Sequence, residues 1–247
     1  MRVRATIEYT GAAYAGWQMQ PDQPTVQSAI EKALEIVVGD RVPIESAGRT
    51  DAGVHALGQV AAFDLPDGTD LYRLRASING LTNNDVSVVS IEEAHVDFNP
   101  RRDAVSRTYE YTIVSGRPRA PMLDDRSWFI YRELDVDRLN QAAACLIGTH
   151  DFSAFRAADC VSTSTIRNIF SSEWSREDHI YRYRVTGNAF LKQMVRILVG
   201  SMVDLQLDRL EFDTFRALLA GGDRGDAGRT APPEGLILVH VKYPSSE

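Results

Sequence analysis

Cysteine is scarce in this chain of 247 residues: there are two, Cys145 and Cys160, without CxxC spacing. That argues against a disulfide framework and against a thiolate zinc site. Lysine is equally sparse, with Lys32, Lys192 and Lys242 alone, so nearly every strong base is arginine. No run reaches the apolar length of a membrane span. The opening Met1-Arg2-Val3-Arg4-Ala5-Thr6-Ile7 alternates polar and apolar, as a strand does and a signal peptide does not. The 17 glycines and 10 prolines are too few for a collagen-like or low-complexity chain. A Gly-x-Ser-x-Gly elbow, a P-loop lysine motif and a Rossmann glycine fingerprint are all missing. What is present, 44% hydrophobic and 25% charged residues, is the balance of a soluble, cytoplasmic globular protein with one large domain or two modest ones.

The net charge of −7 is unevenly spread. Residues 1–98 hold 7 basic and 14 acidic side chains, whereas residues 99–247 hold 20 of each. Arginine offers a planar fork to phosphate and stacks on bases, so the second half can meet nucleic acid despite the acidic total. Genome composition or a high-salt habitat would also give arginine in place of lysine, and overall charge does not choose between these.

Periodicity gives the organisation. Arg2–Thr10 alternates with Val3, Ala5, Ile7 and Tyr9 on one face. Thr25 stands as an N-cap before Val26, Ile30, Ala33, Leu34 and Val37 at helical spacing, with Gly39 after them. Val42–Ser46 and Gln59–Leu65 read as short strands around a glycine-rich loop, Leu71, Leu74 and Ile78 as a second helix, and Val86–Ala94 as a strand. The order β-α-β-β-α-β then recurs. Val105–Val114, a helix near Val136–Ile147, strands Ile166–Trp174 and Ile180–Gly187, a helix Phe190–Leu205 and a final strand Gly235–Val241 carry it, with a further helix near Phe212–Ala220. This predicts an α+β protein of two ferredoxin-like βαββαβ units, residues 1–98 and 99–247. Their antiparallel sheets would be joined side by side with helices on one face, leaving an active-site cleft between the units.

The densest cluster of unusual residues is Ser46-Ala47-Gly48-Arg49-Thr50-Asp51-Ala52-Gly53-Val54-His55-Ala56-Leu57-Gly58-Gln59. A loop held between strands is where catalytic groups commonly lie, and Arg49 and Asp51 flank one residue there. An aspartate in such a loop can equally cap its own turn. His55 has no second ligand near in sequence, and His95, His150, His179 and His240 are scattered, so it reads as a structural histidine. Arg196 falls on the predicted Phe190–Leu205 helix with Lys192 one turn earlier, among apolar neighbours. Burial would demand a carboxylate partner for it, and snorkelling to solvent would not. Gly221–Arg229 is glycine-rich but follows a helix, so it reads as a surface loop with Arg224 and Arg229 available to phosphate.

Taken together, these residues resemble the TruA-type tRNA pseudouridine synthases. Gly48-Arg49-Thr50-Asp51-Ala52-Gly53-Val54-His55 is similar to that family's signature, including its nucleophilic aspartate. Around it, in order, stand Tyr9-Thr10-Gly11, Tyr14-Ala15-Gly16-Trp17-Gln18-Met19-Gln20 and Pro24-Thr25-Val26-Gln27. Arg107-Thr108-Tyr109-Glu110-Tyr111 resembles the tyrosine strand, and Asp151-Phe152-Ser153-Ala154-Phe155-Arg156 the central loop. Asn188-Ala189-Phe190-Leu191, Met194-Val195-Arg196 and Val199-Gly200 resemble the arginine helix, and Ala231-Pro232-Pro233-Glu234-Gly235-Leu236 the C-terminal motif. Departures are Thr10 for a common acidic residue, Met19 for a frequent arginine and Lys192-Gln193 for two histidines.

The resemblance implies an isomerase that needs no cofactor or metal and converts uridine to pseudouridine at positions 38, 39 and 40 of the tRNA anticodon stem-loop. It implies Asp51 as nucleophile, Arg196 as its ion-pair partner, and Tyr109 stacking on the target base and serving as acid or base. Arg49, Tyr109, His55, Gln59, Phe155, Arg156 and Lys192 make up the substrate-binding set. It also implies a homodimer whose tRNA crosses both subunits, gathering Arg101, Arg102, Arg107, Arg156, Arg167, Arg182 and Arg184 into one groove, with no membrane involved. The competing reading is a non-catalytic RNA-binding module of the RRM type, whose RNP1 pattern is missing here.

Overall fold

Alternation of Val3, Ala5, Ile7 and Tyr9 produces β1 (Arg2–Tyr9), with those four side chains buried and the intervening ones wholly or partly open. The computed structural model describes residues 1–118 and 120–244. Its chain divides into one unit of Met1–Val105 with the segment from Ile237 and another of Ser106–Leu236. In the first unit, α1 (Val26–Val38) starts at a reciprocal cap. Thr25 Oγ1 accepts the Ser28 N–H and Ser28 Oγ accepts the Thr25 N–H, both at 3.2 Å. Gly39, left-handed at φ 84°, ends the helix.

The next strand is shorter than the pattern suggests. Val42 and Ile44 are buried, but Pro43 between them has no N–H for a ladder, and β2 is only Glu45–Ser46. In compensation β3 (His55–Asp64) begins four residues before Gln59. There Gly58 admits the Val239 carbonyl, which would lie 2.6 Å from a Cβ. With α2 (Leu71–Leu81, capped by Asp70) and β4 (Val86–Glu93) the β-α-β-β-α-β order is complete. β1 lies antiparallel between β3 and β4, and β2 pairs β3 at Ala61 and Ala62, which is the ferredoxin-like order.

In the second unit β5 (Ser106–Ser115) pairs antiparallel with β9 (Ile180–Gly187). β9 in turn pairs with β8 (Ile166–Glu177), and β8 with β7 (Gly148–Asp151). A three-residue β6 (Trp128–Ile130) runs parallel on β5. β6 and β7 are too short to show periodicity and were not expected. Three helices complete the unit: α3 (Val136–Ala144), α4 (Met194–Gln206) and α5 (Phe212–Ala217). α3 packs on β8, where Asn140 Oδ1 accepts the Trp174 N–H, and the buried Trp174 indole meets Met202 of α4.

β10 (Leu236–Lys242) pairs parallel with β3 at Ile237–His55 and Leu238–Ala56. It lies with the first unit from Ile237 on, so the division differs from residues 1–98 and 99–247. The two-residue β2 leaves the His55 end of β3 open to a further strand. The Phe98–Val105 connection is held there as well: Arg2 Nε donates to Phe98 O, and Val105 N–H to Lys242 O at 2.8 Å.

Candidate active site

The Asp51 loop leaves β2 and re-enters at β3, and its backbone is fixed from behind by the segment that follows β1. Gly16, at φ 104°, lets its main chain pass so close that a Cβ would stand 2.8 Å from Thr50 O. At Gly11 a Cβ would stand 2.1 Å from Val54 O. Trp17 N–H donates to Thr50 O, and Gly53 N–H to Tyr14 O. Side chains add to this hold. The hydroxyls of Tyr9 and Thr50 are 2.7 Å apart in a buried pair, and Gly11 N–H donates to His55 Nδ1 at 3.1 Å. Tyr14, itself buried, donates its hydroxyl to Asp85 at 2.7 Å. Burial first, then the Asp85 carboxylate, push the Tyr14 phenol up to about 12.

Asp51 is half-buried and Arg49 exposed, between buried Thr50 on one side and buried Val54 on the other. The arrangement presents an acidic side chain from a backbone that cannot yield, as a carboxylate used in chemistry requires. His55 and Gln59, placed in the substrate-binding set, prove to be internal. His55 is 6% exposed and serves Gly11; Gln59 is 0% exposed, donates to Gly48 O at 2.9 Å and accepts the Val60 N–H. Both brace the loop through these bonds.

In the second unit Tyr109 lies half-buried on β5, with Phe190 edge-on at 5.1 Å and 81°. Phe190 stands outside the helix that the sequence predicts over Phe190–Leu205. Gln193 is left-handed at φ 61°, Ala157 N–H donates to Lys192 O, and α4 begins only at Met194. Lys192 is therefore not one helical turn from Arg196. It is exposed and paired with Asp159. Arg196, half-buried, donates from Nε to Ala231 O at 2.8 Å, and Ala231 N–H donates back to Arg196 O. Beside it the buried Tyr111 gives its hydroxyl to Pro232 O at 2.8 Å, and Gly235 packs on the Tyr111 ring. Burial, followed by the Glu234 charge, raises the Tyr111 phenol, and the Arg196 charge opposes this.

Other expected contacts need correcting. Phe155 is 0% exposed between Phe152 and Phe215, so it is core and not a substrate contact. Arg107 is 8% exposed and donates to Asn188 O at 2.8 Å. Arg224 donates to Gly228 O and Thr230 Oγ1, and Arg229 pairs with Asp204, so both organise the loop they sit in. Of the remaining arginines, Arg102 pairs with Asp103, Arg182 with Glu177 and Arg184 with Glu110. Arg156 is half-buried, and its charge acts on Asp151. The Thr165 side chain first, then Ser153 and Arg156, hold that carboxyl below the usual range against the effect of burial. Sequence reasoning did not single out Phe190, the Tyr9–Thr50 pair or Asp204. The spacing of Gly11 and Gly16 before a second glycine-rich loop was a usable signal for the clamp.

Among the described residues no group of three or more His, Cys, Asp or Glu could hold a metal ion, and no helix is long and apolar enough to cross a membrane. Residues 5–101 and 142–244 match the family described as tRNA pseudouridine synthase. The chain is 45% identical over 244 residues to tRNA pseudouridine synthase A of Myxococcus xanthus, covering 98% of this chain and 92% of that one. It is 41% identical over 242 residues to tRNA pseudouridine synthase A of Geotalea uraniireducens (strain Rf4), covering 98% and 99%. With tRNA pseudouridine synthase A of Sinorhizobium medicae (strain WSM419) it shares 38% over 245 residues, again 98% and 99%.

Proposed function

The chain belongs to the tRNA pseudouridine synthase family, and from that premise we propose that it isomerises uridines 38, 39 and 40 of the tRNA anticodon stem-loop with Asp51 as the nucleophile. The observation that carries the assignment to Asp51 is its seat: a half-exposed carboxylate on a backbone clamped at Gly11, Gly16 and Thr50.

The reaction cuts the N1–C1′ bond, turns the uracil and joins C5 to C1′, expelling the C5 hydrogen. Nothing is oxidised or reduced. The first step needs a carboxylate at the nucleotide, and in this reading Arg196 is the ion-pair partner of Asp51. Its Nε is committed to Ala231 O, which orients the rest of the guanidinium. Tyr109 stacks on the target base and exchanges the proton at C5, its ring plane fixed by Phe190. The base must leave its stack to reach Asp51, at a cost of a few kcal/mol. Exposed Arg49 fills the vacated space or holds the adjacent phosphate, so Arg49→Ala lowers turnover more than it weakens tRNA binding. The active form is a homodimer whose tRNA crosses both subunits.

Three unmodified tRNAs, each with uridine at only one of positions 38, 39 and 40, test the reading. Pseudouridine at each of these positions and at none outside the anticodon stem-loop is the expected result. Binding without any pseudouridine would leave an RNA-binding module, and modification elsewhere would refute the site assignment.

A further inference from the structure

Helix α4 is buried along nearly its whole length and carries just two charged side chains, Arg196 and Asp204. Eight residues apart at 3.6 per turn, they share a face with Gly200 between them. That face receives the Gly228–Ala231 segment along its length. At one end are the reciprocal bonds of Arg196 with Ala231. In the middle, Gly200 admits the Arg229 carbonyl, which would stand 1.8 Å from a Cβ, and Gly228 N–H donates to Ser201 Oγ at 2.9 Å. At the other end Asp204, its side chain 8% exposed, takes two hydrogen bonds and an ion-pair contact from Arg229. Oδ2 accepts the N–H at 3.0 Å, Oδ1 accepts Nε at 2.9 Å, Nη2 stands 2.9 Å from Oδ1, and Arg209 Nη1 lies 3.7 Å from the same oxygen.

We propose that Asp204 is a positioning residue for the Arg196 guanidinium, acting through the backbone between Arg229 and Ala231. An arginine side chain has several rotatable bonds, and a bond at Nε fixes the plane of its fork. That bond is only as well placed as the Ala231 carbonyl, which is two residues from the point where Asp204 grips the chain. Gly200 lets the segment lie flat on the helix, and Ser201 holds it by one neutral hydrogen bond from Gly228 N–H. The charged Asp204–Arg229 contact adds the stronger hold along the axis. This inference rests on the reading of Arg196 as the charge partner of Asp51.

Steady-state kinetics of Asp204→Asn, Arg196→Lys and the double variant on unmodified tRNA test it, with folding checked by thermal unfolding. Arg196→Lys is expected to lower kcat about a hundredfold, and Asp204→Asn about tenfold with KM within about twofold. In the Arg196→Lys background Asp204→Asn should cost nothing further, because lysine has no Nε to be held. Arg229→Ala, which keeps the backbone N–H bond, should show a smaller loss of the same kind and serves if Asp204→Asn does not fold. Equal losses from Asp204→Asn in both backgrounds would overturn the positioning role, as would an unchanged kcat. An unchanged kcat in Arg196→Lys would instead overturn the Asp51–Arg196 reading, and this inference with it.

Discussion

At the scale of single residues, the side chains that support Asp51 are neutral hydrogen-bonding groups buried beside it, and one of them links stability to pH. Tyr14 donates its hydroxyl to Asp85, and losing that proton would set a buried phenolate against a carboxylate. The folded state therefore holds the proton more tightly than the unfolded chain, where a tyrosine titrates near 10. The contribution is full below pH about 10 and is lost as pH climbs towards about 12. Urea unfolding across that window should show declining stability in the wild type and a shallower decline in Tyr14→Phe. That variant should also be less stable at pH 8 by about 1–2 kcal/mol. Tyr111 and Tyr183, raised mainly by burial, keep the decline from vanishing altogether. An identical pH dependence in both proteins would contradict the role given to Tyr14.

At the scale of elements, a cap and a clamp should be separable. Thr25→Ala removes the side-chain half of the α1 cap and should cost about 1 kcal/mol with activity unchanged in the folded protein. Gly16→Ala forces a Cβ into the Thr50 carbonyl at a positive φ and should cost about 1–3 kcal/mol while also lowering turnover. Thermal unfolding and turnover measured together distinguish the two. The same contrast explains how much was legible in sequence. Elements with strong period or caps, β1, α1, α2 and β9, stand where periodicity, Thr25 and Gly39 put them. The misjudged starts have one local and one tertiary cause: Pro43 spoils a strand that its neighbours suggest, and the turn at Lys192–Gln193, bonded to Ala157, delays α4. Asp51, Tyr109 and Arg196 could be named from the family resemblance, because spacing alone leaves a turn cap open for Asp51 and snorkelling open for Arg196. The roles of Gln59, His55 and Phe155 could not, because composition does not reveal whether a polar or aromatic group on a strand or loop faces inward.

At the scale of the whole molecule, a chain of net charge −7 must meet a polyanion, so attraction has to be local. Several surface arginines are already paired with carboxylates, and in the proposed reading tRNA phosphate takes the place of those partners. Affinity should then fall by about tenfold or more between roughly 50 and 200 mM salt, measured by filter binding. A flat response would argue against phosphate contacts. The central claim is that Asp51 performs the isomerisation. Release of tritium from C5 of labelled uridine in unmodified tRNA reports the C5–C1′ bond itself, since forming it expels that hydrogen. Wild type should release the label, and Asp51→Ala should bind tRNA with similar affinity and release none. Release by Asp51→Ala at a rate near wild type would contradict the account.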